Sequence, residues 1–536
     1  MNQQPQTPEA VSPAARRRRP RYGVRAAVGA IAVAALALAG CSGAGGGPGS
    51  SGGSTPVSGG TLRVGAVKPS TAVDPITMAD GSSIIVVQQV AQYLVNVVGS
   101  KSTLEPQLAA SWTSDAKAQN WTFTLRQGVK FNTGQPMTAQ DVVASFNRVL
   151  DPKNSSGALT NFEGTLGQGK VEAAGDDTVV FHLDRPYADF PYLVSPANFN
   201  TVILPANYSG DWLKNPVGTG PYTLTNYQAA QRASLKLRND YWGQKPYLAQ
   251  IDVTYYSDPK AEALALTGGA VDMAIDVDSS LYRNPSVNVI AGPSAGYLAL
   301  NMQVTQKPFN DVRVRQAVAL CIDRQGALQG VTQGKGTIAN DHLWSQIYSI
   351  QPQGIPQRTR DIDQAKTLLA QAGYPHGFTA TLTIDDEPGV PDYAALIKQN
   401  CAPAGINIDI KQLSSNAFYG TGSNTPWLQE PFTIVTWGTR PVPEQLIEAS
   451  LITKGVWNSS RFSNPQFDAL LAQYDATIDP AKRQQIATQA AKILHDQVPV
   501  VVAFFQDFTQ ATNKNVHGIT PSPIGNIVLT SAWISH

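Results

Sequence analysis

The first sixty residues decide where folding can begin. Six arginines (Arg16, Arg17, Arg18, Arg19, Arg21 and Arg25) precede an uninterrupted run of small and apolar residues from Ala26 to Gly40. A basic stretch followed by a short apolar one has the layout of a secretory signal, and this run is short for the roughly 30 Å of hydrocarbon in a bilayer. Behind it, Ser42–Gly60 is nearly all Gly, Ser, Pro and Thr. Such a composition has no core-forming side chains and behaves as a flexible coil about 25 Å across. A globular body therefore starts near Thr61.

The apolar run ends Leu38-Ala39-Gly40-Cys41, which resembles the lipobox of bacterial lipoproteins. The resemblance implies a diacylglycerol on Cys41 and cleavage before it. Residues 1–40 are then a signal peptide, 41–60 a tether, and the protein is extracytoplasmic and anchored to the cell membrane. The alternative is a signal anchor left in place, but the cysteine at the boundary and the polar linker directly behind it favour cleavage. An Arg-Arg pair alone does not make a twin-arginine signal. Six arginines and one glutamate give the first forty residues a charge of +5, so the remaining 496 carry −4 against +1 for the whole chain.

The chain has 536 residues, 40 basic against 39 acidic, with 15% charged and 42% hydrophobic. That length predicts two or three lobes. The low charge argues against a nucleic-acid partner, which needs clustered positive charge to displace counterions. The apolar share excludes global disorder. With Cys41 assigned to lipid, Cys321 and Cys401 remain. An oxidising exterior favours their pairing, and two buried thiols in separate helices is the other reading; the sequence leaves both open.

Period-two alternation predicts strands at Thr61–Val67, Trp121–Val129, Thr178–Leu183, Ile251–Tyr256, Val287–Ala291, Tyr297–Val304, Thr379–Ile384, Asn407–Leu413 and Thr433–Trp437. Helical stripes follow Thr138 and Asp141, Asn310 and Asp311, and Asp479-Pro480, and another runs through Ile362, Ala365, Leu368, Leu369 and Ala372, closed by Gly373. Strands and helices alternate without a fixed repeat, which predicts an α/β or α+β fold.

Catalytic motifs are weak. Gly292-Pro293-Ser294-Ala295-Gly296 matches G-x-S-x-G, but a nucleophile elbow needs a helix behind it, and Tyr297–Val304 reads as a strand with 292–296 as the turn. Ser114–Lys117 and Ser257–Lys260 match S-x-x-K without the S-D-N or K-T-G partners. The histidines are isolated, so no metal site is expected, and there is no phosphate-binding or dinucleotide fingerprint and hence no cofactor. The chain reads as a non-enzyme.

Three stretches carry a family resemblance. Pro106-Gln107-Leu108-Ala109-Ala110-Ser111-Trp112 leads to Trp121-Thr122-Phe123-Thr124-Leu125-Arg126-Gln127-Gly128-Val129-Lys130-Phe131 and then to Gly134-Gln135-Pro136-Met137-Thr138-Ala139-Gln140-Asp141-Val142-Val143. Pro216-Val217-Gly218-Thr219-Gly220-Pro221-Tyr222 is followed by Asn239-Asp240-Tyr241-Trp242-Gly243. Pro308-Phe309-Asn310-Asp311-Val312-Arg313-Val314-Arg315-Gln316-Ala317 precedes Ile322-Asp323-Arg324. Together these resemble the bacterial extracellular solute-binding proteins of family 5, which serve peptide and nickel ABC importers.

The resemblance implies an α/β, two-lobe periplasmic-binding-protein-like fold with a hinge. Lobe one would be 61–300, with an inserted subdomain at about 104–214. Lobe two would be 301–505, and 506–536 would return to lobe one. It implies a monomer that captures a peptide or related small solute between the lobes and delivers it to an ABC permease. The Trp112, Trp121 and Phe131 signature is expected to be structural.

The resemblance also points to ligand candidates. Peptide binders of the family place an Asp three positions after the Trp of a Trp-Gly loop. Here the loop reads Trp437-Gly438-Thr439-Arg440, so the acidic anchor is replaced by a cation that repels an amine and suits a carboxylate or phosphate. Arg440 is therefore expected to grip an anionic group of the solute or to have an internal acidic partner. Phe418, Tyr419, Trp427, Trp457 and Asn458 lie in loop-rich stretches near it, each weighed against plain core packing. Asp74, Gly81 and Ser82 follow the first strand, and Tyr297 and Asn301 fall near the first crossover. Two other readings stand beside import: a cell-surface serine hydrolase at Ser294, and a sensor or adhesin on the same fold. Nickel is disfavoured, since no histidine falls in the Trp-Gly loop.

Overall fold

Two long antiparallel strands, Val287–Met302 and Val500–Asn513, pair with each other and join the two lobes. The structure, a computed structural model, describes residues 55–275, 277, 284–420, 422 and 424–535; the expected signal peptide, Cys41 and most of the tether lie outside the described residues. Where the sequence pattern predicts two strands separated by a turn, the backbone stays extended through Gly292–Gly296, and only the register with Val500–Asn513 slips there. Pro293 explains both facts. It has no N–H for the ladder, which favours a bulge, yet its φ is compatible with extended chain.

These strands sit inside one sheet, ordered Ile406–Gln412, Phe378–Ile384, Phe432–Trp437, Val287–Met302, Val500–Asn513, Met273–Ala274, Thr61–Val67, Gln250–Tyr256, Arg232–Leu237 and Tyr222–Gln228, with Gly336–Ile338 added alongside Val500–Asn513. The sheet is buried on both faces in lobe two, so its strands read as apolar runs. Leu298, Leu300 and Met302 enter one apolar layer with Val314, Val318, Ile397 and Ile434. Tyr297 and Ala299 point the other way, into a layer with Leu446, Leu471, Ala487 and Leu494. Lobe one has its own core, which gathers residues from Leu62 to Ile275 and then Val516, Ile527, Leu529 and Ala532 from the end of the chain.

Helix starts follow the expected caps at Asp141, Asp311 and Asp479, and Asp361 supplies a cap that the sequence pattern did not single out. Asp311, Asp361 and Asp479 accept the amides of Arg313, Gln364 and Lys482, and the Asp141 carboxylate accepts the Thr138 amide at 2.7 Å, ahead of helix Ala139–Leu150. A separate four-stranded sheet of Ala109–Ser114, Asn120–Leu125, Thr178–His182 and Val171–Ala173 carries the first signature. Trp121 and Phe123 alternate inward there and meet Phe181 and Phe190, with ring centroids 5.4 Å apart for Phe123 and Phe181. The glycine motif is a close-packing device: a Cβ on Gly218 would lie 2.1 Å from the Val90 carbonyl oxygen, at the end of helix Gly81–Val90.

Candidate functional site

At the bulge between the lobes, several expected side chains converge. Strand Phe432–Trp437 pairs with Val287–Met302, setting Tyr297 opposite Trp437. Their rings stack with centroids 6.4 Å apart, and Trp457 leans on Trp437 at 5.8 Å. The chain then leaves the sheet through Gly438, where a Cβ would meet the Arg440 Nη1 at 3.8 Å, and is held across the lobe junction. Thr439 Oγ1 accepts the Ala295 amide at 2.9 Å and donates to the Pro523 carbonyl at 3.0 Å. Val442 packs on Val97 and Tyr192 of lobe one.

Arg440 sits in the middle of this loop, and among the described residues its hydrogen bonds are with neutral groups. Nη1 donates to the Thr439 carbonyl at 2.9 Å, and the Arg440 carbonyl accepts the Tyr348 hydroxyl at 3.1 Å. Burial pulls its guanidinium below the ordinary value, while burial pushes the facing Tyr297 and Tyr348 hydroxyls up, so both remain neutral. Among the described residues no carboxylate lies within ion-pair distance of Arg440. A half-buried cation beside the Tyr297 and Tyr348 hydroxyls, without an internal counter-charge among the described residues, is suited to an anion from outside.

The other candidates are placed elsewhere. Phe418, Tyr419 and Trp427 form an aromatic trio of their own, joined to the loop's strand where the Tyr419 hydroxyl accepts the Thr436 amide at 3.2 Å. Asn458 is buried and staples its own loop, donating to the Ile452 and Phe462 carbonyls. Asn301 is buried in the sheet and donates to Ala299. In lobe one, Asp74 accepts from the Ile76 and Thr77 amides as a turn former, Gly81 opens a helix, and the Ser82 carbonyl accepts the Tyr255 hydroxyl. Cys321 and Cys401 are buried thiols in hydrogen-bonding contact.

Sequence reasoning missed Tyr348, Val97, Tyr192 and Val442 as parts of this junction. None carries a pattern of its own; each is an ordinary residue until the lobes meet. A cavity of about 960 Å³ lies within lobe one between Trp242, Arg126 and Gln107, and another of about 650 Å³ lies beside Gln506, lined by Lys335, Glu387, Asp392 and Asp507. Arg440 lines neither. No described helix is long and apolar enough to cross a membrane, and no described cluster of His, Cys, Asp or Glu could hold a metal ion.

Comparison with known proteins places these features in context. The family described as bacterial extracellular solute-binding proteins, family 5 Middle, matches residues 103–448. Heme-binding protein A of Haemophilus influenzae is 28% identical over 484 residues, which cover 82% of this chain and 85% of that protein. The dipeptide-binding protein of Escherichia coli K12 is 26% identical over 490 residues, covering 84% and 89%. The fold overlays the solved unliganded open form of MppA, a periplasmic murein tripeptide binding protein, with a TM-score of 0.77 at 24% identity, covering 89% of this chain and 98% of that one.

Proposed function

This chain belongs to the bacterial extracellular solute-binding proteins of family 5, and from that premise we propose that it is the lipid-anchored binding protein of an ABC importer. It captures a peptide or related small solute between its lobes and hands it to a membrane permease, without altering any bond in it. Cys41 carries the lipid, the Gly/Ser tether lets the body move above the membrane, and the bulge at Gly292–Gly296 against Gln506 acts as the hinge. The protein works as a monomer.

One observation carries the reading: Arg440 is a half-buried guanidinium at the lobe junction with no carboxylate partner among the described residues. A solute carboxylate completes it with two parallel hydrogen bonds, and Tyr297, Trp437 and Trp457 supply flat apolar walls. The ligands named for the two relatives, haem and dipeptides, both bear carboxylates, which agrees with this chemistry. Closure follows if the solute touches both lobes, because only differential affinity shifts the equilibrium.

Native mass spectrometry of the protein purified from its own cells tests the proposal. The expected result is a non-covalently bound solute bearing at least one carboxylate, released unchanged on denaturation. A solute recovered chemically converted, or one without any anionic group, overturns it.

A further inference from the structure

Two arginine-braced carboxyl pairs join the lobes beside the Arg440 loop. Lobe one contributes Arg185 and Asp189. Lobe two contributes Glu444 and Glu448 from helix Pro443–Ser450, Asp475 from Pro465–Ala476, and Arg483 from Pro480–Gln497. Arg483 Nη1 donates to Asp189 Oδ1 at 2.8 Å, and its Nη2 stands 3.9 Å from Glu444 Oε1. Arg185 donates to Asp475 Oδ2 at 2.5 Å and to Glu448 Oε2 at 3.0 Å. Across the same seam the Ala188 amide donates to the Asp475 carbonyl at 2.7 Å.

Charge does not balance here. Four carboxyl groups face two guanidinium groups, and Glu444 and Asp475 are only 1% and 3% exposed. Among the described residues no nitrogen or hydroxyl donor reaches either Glu444 oxygen or Asp475 Oδ1. What faces Glu444 is the Asp189 carboxyl, and what faces Asp475 is the Glu448 carboxyl, each within hydrogen-bond range. Two carboxyl groups can hydrogen-bond only by sharing a proton, and the burial of Glu444 and Asp475 disfavours a charge on either beside a second carboxylate.

The remaining neighbours do not supply the missing charge. Tyr187 stacks on Arg185 and Tyr474 on Arg483, with Tyr192 and Tyr348 nearby, and burial keeps all four phenols neutral. Arg440 lies four residues before Glu444, outside ion-pair distance of it.

We propose that each pair holds one proton at neutral pH, and that these two protons fix helix Pro443–Ser450, with the Arg440 loop ahead of it, against lobe one. Glu444 and Asp475 are thus positioning residues, and lobe association is linked to proton uptake. Burial and the adjoining carboxyl push Glu444 and Asp475 well above the carboxylate range, while Arg483 keeps Asp189 below it. The sign follows. A group raised in the folded state stabilises fully below its unfolded value, and that contribution is lost as pH rises through the raised value. Alkaline solution therefore loosens the lobe contact.

Its consequence for solute affinity rests on the solute-binding reading, but the contact itself is testable without solute, so the two can fail separately. Small-angle scattering and thermal unfolding of the mature, solute-free protein at pH 5.5 and 8.5 give the readouts. The expected result is a larger radius of gyration and an unfolding midpoint lower by roughly 3–5 °C at pH 8.5. The Glu444→Gln, Asp475→Asn double variant puts a permanent N–H where each proton was, and is expected to abolish the pH difference. Infrared spectra of the wild-type protein at neutral pH provide a measure independent of that variant's folding, and should show a protonated-carboxyl band. A wild-type protein without that band or without the pH difference, or a folded double variant that retains the difference, overturns the proposal.

Discussion

Ser294 gives its hydroxyl hydrogen to the carbonyl of Gln506 at 2.5 Å and takes the Gly296 amide hydrogen at 3.1 Å. The two strands that pass between the lobes are thereby stitched together where their ladder slips. A serine nucleophile needs a base at its hydroxyl, and this hydroxyl is committed to a peptide carbonyl instead. A fluorophosphonate probe is accordingly expected to leave Ser294 unlabelled, with the adduct mass on the intact protein as the measurement. Ser294→Ala should cost about 1 kcal/mol of stability, the worth of one hydrogen bond.

Arg440 makes one side-chain hydrogen bond, to its own neighbour. Arg440→Gln should therefore leave the unfolding midpoint nearly unchanged while weakening a carboxylate-bearing solute by at least about tenfold, the loss of a charge-assisted pair. Calorimetric titration with the co-purified solute measures it. Unchanged affinity would remove Arg440 from the site.

Acid should destabilise lobe two through a different cluster. Asp341 is fully buried, accepts from Arg324 at 2.7 and 2.8 Å and from Arg358 at 2.7 Å, and is held below the carboxylate range by the two cations. Burial pushes its neighbour His342 down to about 4. A depressed histidine contributes stability that is complete above its unfolded value near 6.5 and is lost as pH falls toward 4, here up to roughly 3 kcal/mol. Denaturant titrations of wild type and His342→Gln between pH 7 and 4.5 are expected to diverge, the variant showing the flatter profile. This slope is opposite to that of the Glu444 and Asp475 pairs.

Cys321 and Cys401 end two helices, Val312–Cys321 and Val390–Cys401, whose last turns are tied by Arg360 reaching the Cys321 and Asn400 carbonyls. The thiols touch, so oxidation in an extracytoplasmic setting should join them. Intact mass without reductant is expected to be about 2 Da below the reduced value. Reduction should cost about 2–4 kcal/mol, since the bridge closes a loop of roughly 80 residues.

Gly218→Ala should cost about 3 kcal/mol, because its methyl group would overlap the Val90 carbonyl with no side chain able to yield. Circular dichroism melts would show it. A neutral result would mean that the Pro216–Tyr222 turn can move away from the helix end.

Local features of this fold were legible because their causes are local. Asp311 and Asp479 cap the helices that their spacing announced, and Trp121 and Phe123 alternate into a core as period two requires. The Gly292–Gly296 segment misled for an equally local reason. Gly and Pro mark turns, yet a partner strand more than two hundred residues away holds them extended. Glu444 was invisible as a functional residue, since a carboxylate at the start of a helix reads as a solvated end charge. Only the approach of Asp189, from the other lobe, removes its water.

The last residues of the chain have a consequence for how the first ones mature. Thr61–Val67 lies beside Met273–Ala274, which leans on Val500–Asn513, and the same core is completed by Ile527, Leu529 and Ala532. A polypeptide that emerges from its amino end thus carries an unfinished lobe until nearly its whole length is free, and contacts of such long range form slowly. Any protein that must thread a narrow channel before settling gains from that delay.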